Sequence, residues 1–229
     1  QLKSTFLEDN RYMWMVEGLG NTLLITIGAL AIGVVIGALI AVAKYYSEGN
    51  KKLRWVSWIC DLYTTVIRGI PMTVLLLLFF FVIFVSARDG VPVAIAAFGI
   101  NSGAYMAELI RSGINAVDKG QMEAARSLGM SKTRAMFKVI LPQAFRICIP
   151  SLVNQFIITV KDTSILSAIG LSEIVNKAKI YVGKTYQFFA TYILVAIFYL
   201  VIISILMVIS KFVEKKFSYD KKSSSKKSS

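Results

Sequence analysis

The sequence predicts an all-α, polytopic membrane protein, and three observations carry that expectation. Of its 229 residues 56% are hydrophobic, and the mean hydropathy of +0.64 exceeds what a soluble core of this size needs. Uncharged stretches recur that reach the length of about 20 residues required to cross the hydrocarbon. The charged residues, net +13, lie between and beside these stretches, where membrane topology accounts for them. That placement argues against nucleic acid, the partner so basic a chain otherwise suggests.

Five spans are expected. Residues 1–17 carry mixed charge and read as an N-terminal segment outside the cytoplasm. The first span, 21–43, places Ala29, Gly33, Gly37 and Ala41 four apart, one small-residue face for close helix packing. Lys44, Lys51, Lys52 and Arg54 follow with only Glu48 against them, which puts this loop in the cytoplasm and the N-terminus outside. The second span, 56–87, is interrupted at Arg68, Gly69, Ile70 and Pro71, where proline removes a backbone donor and disfavours helix in the residue before it. Such breaks persist in membranes where protein or a water-filled cavity surrounds them. A third span, 92–115, returns the chain to the cytoplasm.

The stretch 118–138 is charged yet patterned. It reads as two short helices, Gly120 to Leu128 and Lys132 onward, turned at Gly129, which suits left-handed geometry, and capped by Ser131. An ordered helical elbow between spans points to a docking surface for a soluble partner. The fourth span, 139–160, contains Pro142 and Pro150. Residues 161–185 either lie outside or fold back, and Lys161, Lys177, Lys179 and Lys184 make them more positive than an outer loop favours. The fifth span, 185–210, leads to a basic Ser/Lys tail, 217–229, expected to be disordered, cytoplasmic and attracted to anionic membrane lipid.

Chemistry inside the chain is sparse. There is no histidine, which removes the commonest metal ligand and most imidazole catalysis. Cys60 and Cys148 are far apart in apolar surroundings and read as packing residues, so no metal site is expected. Gly183, Lys184 and Thr185 imitate the end of a P-loop, but Ala178 stands where that pattern needs glycine and no strand precedes it. Polar residues within spans say more. Asn101, Tyr105, Glu108, Ser112 and Asn115 share one helical stripe, expected to face the bundle interior, with Arg111 within pairing distance of Glu108. Ser151, Gln155, Thr159 and Asp162 continue a similar stripe, ending at Thr163 and Ser164.

The elbow resembles a known motif. Glu123, Ala124 and Ala125, then Gly129, then Val139, Ile140, Leu141 and Pro142 resemble the EAA motif of bacterial ABC importer permeases, with Val139 where isoleucine is usual. Further phrases resemble the polar amino acid permeases of the histidine/glutamine type: Gly18 to Thr22, Arg68 to Pro71, Ala104 to Arg111, Leu141 to Arg146 and Lys161 to Ser164. The likeness covers residues 15–215.

It implies a type I importer permease in the bacterial cell membrane, N-terminus out and C-terminus in. Its implied partners are a second permease subunit, identical or different, two ATPase subunits, and an extracellular binding protein or a binding domain fused ahead of Gln1. It also implies that Gly120, Glu123, Ala124, Ala125, Arg126, Gly129 and Pro142 belong to the ATPase-coupling elbow. ATP and magnesium then belong to the partners, and this chain is no enzyme.

A zwitterionic amino acid needs donors for its carboxylate, from Arg111 or backbone near Gly69 and Pro71. It needs acceptors for its ammonium group, from Glu108 or Asp162. The substrate path is thus expected along Tyr105, Glu108, Arg111, Ser112, Gln155, Asp162, Thr163 and Ser164. Against this stands the reading of Glu108–Arg111 and Lys161–Asp162 as structural ion pairs. Alternative functions are a permease for another small solute such as methionine, or an ion-coupled secondary transporter.

Overall fold

In the computed structural model, residues 11–48 and 50–217 are described. Residues 1–10 of the expected outer segment and residues 218–229 of the expected tail lie outside the described residues. The first helix, α1 (Arg11–Ser47), contains no proline and is apolar through its middle. Asn50 then turns the chain, its side chain accepting from the Lys52 N–H at 3.0 Å, and α2 follows (Arg54–Gly69).

Helix α2 stops where Pro71 dictates. Ile70, the residue before it, is extended at φ −90° and ψ 128°, and Pro71 leads into α3 (Met72–Leu78), prolonged by a π turn over Phe79–Ile83. The two arms meet at 103°, so the second apolar run is a sharply bent pair rather than a rod. Among the described residues four helices are long and apolar enough to cross a membrane, and the bent pair makes a fifth if taken as one span.

Asp89 caps α4 (Gly90–Ala116) by accepting from the Val91 N–H at 2.9 Å. The elbow consists of α5 (Lys119–Ser127) and α6 (Lys132–Ala135). From α6 the chain stays helical through a π turn (Met136–Ile140), α7 (Leu141–Asp162) and a 3-10 stretch (Thr163–Ile169), 38 residues in all. Gly170, at φ +74°, ends it.

Residues 161–185 are mostly helical, and of the two expectations for them the fold-back is the one seen. They hold α8 (Ile174–Thr185), which folds back antiparallel to the first turns of α1. Glu17 pairs with Lys177 at 3.1 Å and Asn21 donates to the Ser172 carbonyl at 2.6 Å. The last span, α9 (Phe188–Phe217), therefore starts later than Thr185, which still belongs to α8; Tyr186, at φ 57°, makes the turn.

The bundle has an elbow end, carrying Ser47, Ala116 and Leu141, and a far end, carrying Arg11, Gly90 and Phe188. Its central seam joins α1 to α4. A β-carbon at Gly33 would stand 2.7 Å from Ser102 Cβ, and one at Gly37 would collide with Met106 Cβ. Gly99 and Gly103 on α4 receive Ile32 and Ile36 in return. Ala29 and Ala41 are fully buried, so the small-residue face of α1 does what its spacing suggested. At the elbow end Met136, Ile140 and Ala144 pack with Ala41, Met106 and Ile110. Cys60 and Cys148 are buried free thiols.

Candidate functional site

Helix α4 has two faces of opposite character. Its buried face is Ala97, Phe98, Gly99, Gly103, Ala104, Met106, Ala107 and Ile110, packed into the bundle. Asn101, Tyr105 and Glu108 are half-buried and Ser112 and Asn115 exposed, so the polar stripe looks outward from this subunit. The expectation that it faces the bundle interior is corrected: small residues give α1 a closer approach than polar ones, and they take the interior.

The helix break joins this open face. Arg68, Gly69 and Pro71 are exposed, and the 103° bend sets the Arg68 guanidinium over the Tyr105 ring, 5.1 Å from its centroid. Toward the elbow end four charges alternate across three helices. Asp61 on α2 lies 2.5 Å from Lys44 Nζ on α1, Lys44 lies 3.9 Å from Glu108, and Glu108 Oε2 accepts from Arg111 Nη2 at 3.0 Å. Arg111 Nε is buried without a partner among the described residues. Glu108 and Arg111 thus form the expected pair, within a chain of charges that also holds α2 to α1. Lys44 and Asp61 were missed; the available signal is Asp61, a carboxylate inside the second apolar run.

Helix α7 does not offer one continuous polar stripe. Gln155 borders a recess of about 330 Å³ with Leu109, Ser151, Asn154 and Glu214. Thr159 and Thr163 are buried, and their hydroxyls donate within the helix, to the Gln155 and Val160 carbonyls. Thr163 is therefore enclosed in this subunit, its hydroxyl held by the Val160 carbonyl. Ser164 turns the other way, toward α8 and α9. Lys161 and Asp162 are not within ion-pair distance of each other among the described residues, though their charges still interact. Cys148 meets the Leu109 carbonyl at 3.0 Å, and Asp162 lies about 20 Å further along α7 at 1.5 Å per residue. Glu108 and Asp162 are too far apart to grip one amino acid together.

The elbow is built by its caps. Asp118 accepts from the Gly120 N–H at 2.7 Å, and Ser131 from the Arg134 N–H at 3.2 Å. Gly129, at φ +80°, closes α5: its N–H donates to the Arg126 carbonyl and the Met130 N–H to the Ala125 carbonyl. Gly120, Glu123, Ala124 and Arg126 are exposed, while Ala125 is buried beneath. The Arg126 guanidinium reaches the Met130 carbonyl at 3.3 Å and so braces its own turn.

Two further ties fix the elbow to the bundle. Lys132 Nζ lies over the rings of Tyr45 and Tyr46, at 5.2 and 5.5 Å, and Gln143 donates to Gln121 at 3.2 Å. Pro142 is exposed at the second residue of α7, directly after the π turn of Met136–Ile140. At the apex Leu128 stands 85% exposed, an apolar knob that the sequence reading passed over.

The comparisons with known proteins agree with this geometry. The family described as binding-protein-dependent transport system inner membrane component matches residues 19–219. A probable amino-acid ABC transporter permease of Bacillus subtilis, YckA, is 36% identical over 94% of each chain. The putative glutamine transport system permease GlnP of Rickettsia prowazekii is 36% identical over 90% of this chain and 94% of its own. Among solved structures, an amino acid ABC transporter crystallised with histidines is 37% identical, with a TM-score of 0.80 over 92% of this chain and 98% of that one. The MetNI methionine ABC transporter, at 20% identity and a TM-score of 0.76, shares the fold. This chain belongs to the family of inner-membrane components of binding-protein-dependent transport systems, the ABC importer permeases that its elbow resembles.

Proposed function

We propose that this chain is the membrane-spanning permease subunit of an ATP-binding-cassette importer that moves a polar amino acid into a bacterial cell. The observation that carries the proposal is the elbow: a hairpin capped at Asp118, Gly129 and Ser131, continuous with a helical run of 38 residues across the bundle. A partner that moves the elbow moves α7 with it, because the Lys132–tyrosine contacts and the Gln121–Gln143 bond leave little play. Leu128, Glu123 and Ala124 present an apolar knob and a polar flank to a groove on such a partner.

The remaining assignments follow that reading. Two ATPase subunits bind and hydrolyse ATP with magnesium, and this chain contributes no site for either. A second permease subunit covers the open face of α4, which makes Tyr105, Glu108, Arg111 and Ser112 the wall of a path between subunits. Gln155 and Asp162 extend the path toward the far end. That end faces outward, where a binding protein or a fused binding domain delivers the substrate, and the elbow and C-terminus face the cytoplasm. The relatives named for amino acids support a polar amino acid as cargo. The test is purification from the native membrane with identification of every co-purifying subunit, then uptake in proteoliposomes. ATP-dependent accumulation of an amino acid is expected. Uptake that follows an ion gradient without ATP overturns the proposal.

A further inference from the structure

The four charges on the elbow-end half of the open face are paired unevenly. Glu108 has two oxygens and a cation beside each. Its Oε2 accepts from Arg111 Nη2 at 3.0 Å, a single bond rather than the two-pronged grip that guanidinium and carboxylate frequently make. Its Oε1 lies 3.9 Å from Lys44 Nζ, beyond hydrogen-bond reach, and receives no hydrogen bond among the described residues. No other cation among the described residues stands within ion-pair distance of Glu108. Lys44 gives its short bond, 2.5 Å, to Asp61 Oδ1 instead. The Lys44 side chain is only 10% exposed, so its ammonium group needs an acceptor from the protein in place of water. Two carboxylates compete for it, and Asp61 holds it. A shift of about 1 Å would carry Nζ from 3.9 Å to bonding distance of Glu108 Oε1.

We infer that Asp61 is a positioning residue for the cargo: by holding Lys44, it leaves Glu108 Oε1 open to accept from the cargo's ammonium group. The inference rests on the importer reading above, in which Glu108 lines the path, and gives Asp61 no cargo contact of its own. Helix α2 sets the aspartate in place. Tyr63, two residues on, donates to the Ile100 carbonyl of α4 at 2.6 Å, which fixes the height of α2 against α4. Glu108 itself stays half-buried on the open face of α4, where a cargo between subunits would meet it. A plain tie between α1 and α2 would make Lys44 and Asp61 equivalent, since losing either one breaks the same pair. The inference makes them opposite. Without Asp61 the lysine becomes a competitor for Glu108; without Lys44 there is no competitor to restrain.

The experiment uses the full chain with its co-purified subunits, binding protein or domain included, in proteoliposomes given ATP and an equimolar mixture of the standard amino acids. Mass spectrometry of the vesicle contents reads the accumulated cargo. Asp61→Ala is expected to lower the rate of accumulation about tenfold, the effect of one charge-assisted hydrogen bond. Asp61→Glu, which can still hold the lysine, should keep the rate. Lys44→Gln alone should lower it far less than Asp61→Ala does, and Lys44→Gln added to Asp61→Ala should restore most of it. An unchanged rate in Asp61→Ala, or a double variant no faster than Asp61→Ala, overturns the inference and leaves the importer reading intact. Loss of the assembled complex in Asp61→Ala also overturns it, as the mark of a structural tie. A wild type that accumulates no amino acid with ATP overturns the importer reading, and this inference with it.

Discussion

Gly37 in the α1–α4 seam and Gly129 in the elbow are both tightly constrained, for opposite reasons. At Gly37 the backbone is ordinary helix, but a β-carbon would collide with Met106, so space is the constraint. At Gly129 nothing lies within 4 Å of an added β-carbon, and the constraint is φ +80°, which disfavours any side chain. One glycine lets two helices touch; the other sets the angle between two helices that scarcely touch. A seam defined by contact fails by losing the fold. An elbow defined by a dihedral angle keeps the fold and fails by pointing wrongly.

That contrast is open to direct test. Gly37→Leu should give the largest effect, loss of the monodisperse folded peak in detergent size-exclusion chromatography; Gly37→Ala should fold with about 1–3 kcal/mol less stability. A normal thermal midpoint for Gly37→Leu would refute the close seam. Gly129→Val, forced into left-handed backbone at about 1–2 kcal/mol, should leave that peak in place while ATPase co-purification and ATP-driven uptake are lost. Gly129→Asn, which tolerates the same dihedral, should restore both. If both survive in Gly129→Val, the elbow does not act through its angle.

The next test concerns the open face of α4. Glu108→Gln leaves Lys44 paired with Asp61 but removes the carboxylate between Lys44 and Arg111. Uptake is expected to fall about tenfold, equivalent to 1.4 kcal/mol, with the assembled complex still recovered in full. Parallel loss of the complex would make Glu108 a structural residue.

The smallest effect is expected where α8 meets α1, a seam with a titrating group beside it. Glu173 is fully buried, caps α8 by accepting from the Val175 and Asn176 N–H groups at 2.8 and 2.6 Å, and receives the Tyr199 hydroxyl. Burial pushes its carboxyl up from an ordinary 4.5 to about 7, against those three hydrogen bonds and the charge of Lys179. Between these values the folded chain holds a proton that the unfolded chain has released, so stability falls as pH rises from 4.5 toward 7 and levels off above. The midpoint of thermal unfolding should therefore decline over that range in the wild type and stay flatter in Glu173→Gln. Identical slopes would mean that Glu173 does not titrate there.

The sequence made the fold class and the elbow legible because both are written in local chemistry. Uncharged runs of the right length mark spans, and Gly129 followed by Ser131 spells one cap and then the next. The small residues of α1 were readable by their spacing. Gly99 and Gly103 carry the same spacing on α4 and complete the seam, yet a pattern on one helix does not name its partner. The candidate path was harder. Periodicity put Tyr105, Glu108 and Ser112 on one stripe correctly but not its direction, because burial depends on which face Gly33 and Gly37 claim. Thr163 looked available as a residue type and is spent on the Val160 carbonyl. The α8 fold-back was legible only as one of two alternatives for residues 161–185, since the contacts that hold it, to Glu17, Asn21 and Tyr199, are distant in sequence from Ile174.

The continuous helical run from Lys132 to Ile169 also has a mechanical ratio. At 1.5 Å per residue it is a rod of roughly 55–60 Å. Pivoted near the elbow, where Lys132 rests on Tyr45 and Tyr46, a rotation of about 5° would sweep the other tip through about 5 Å at that rod length. Displacement is thereby multiplied and force divided. A large, heavily gripped motor at the short arm suits such gearing, and so does a small cargo at the long one.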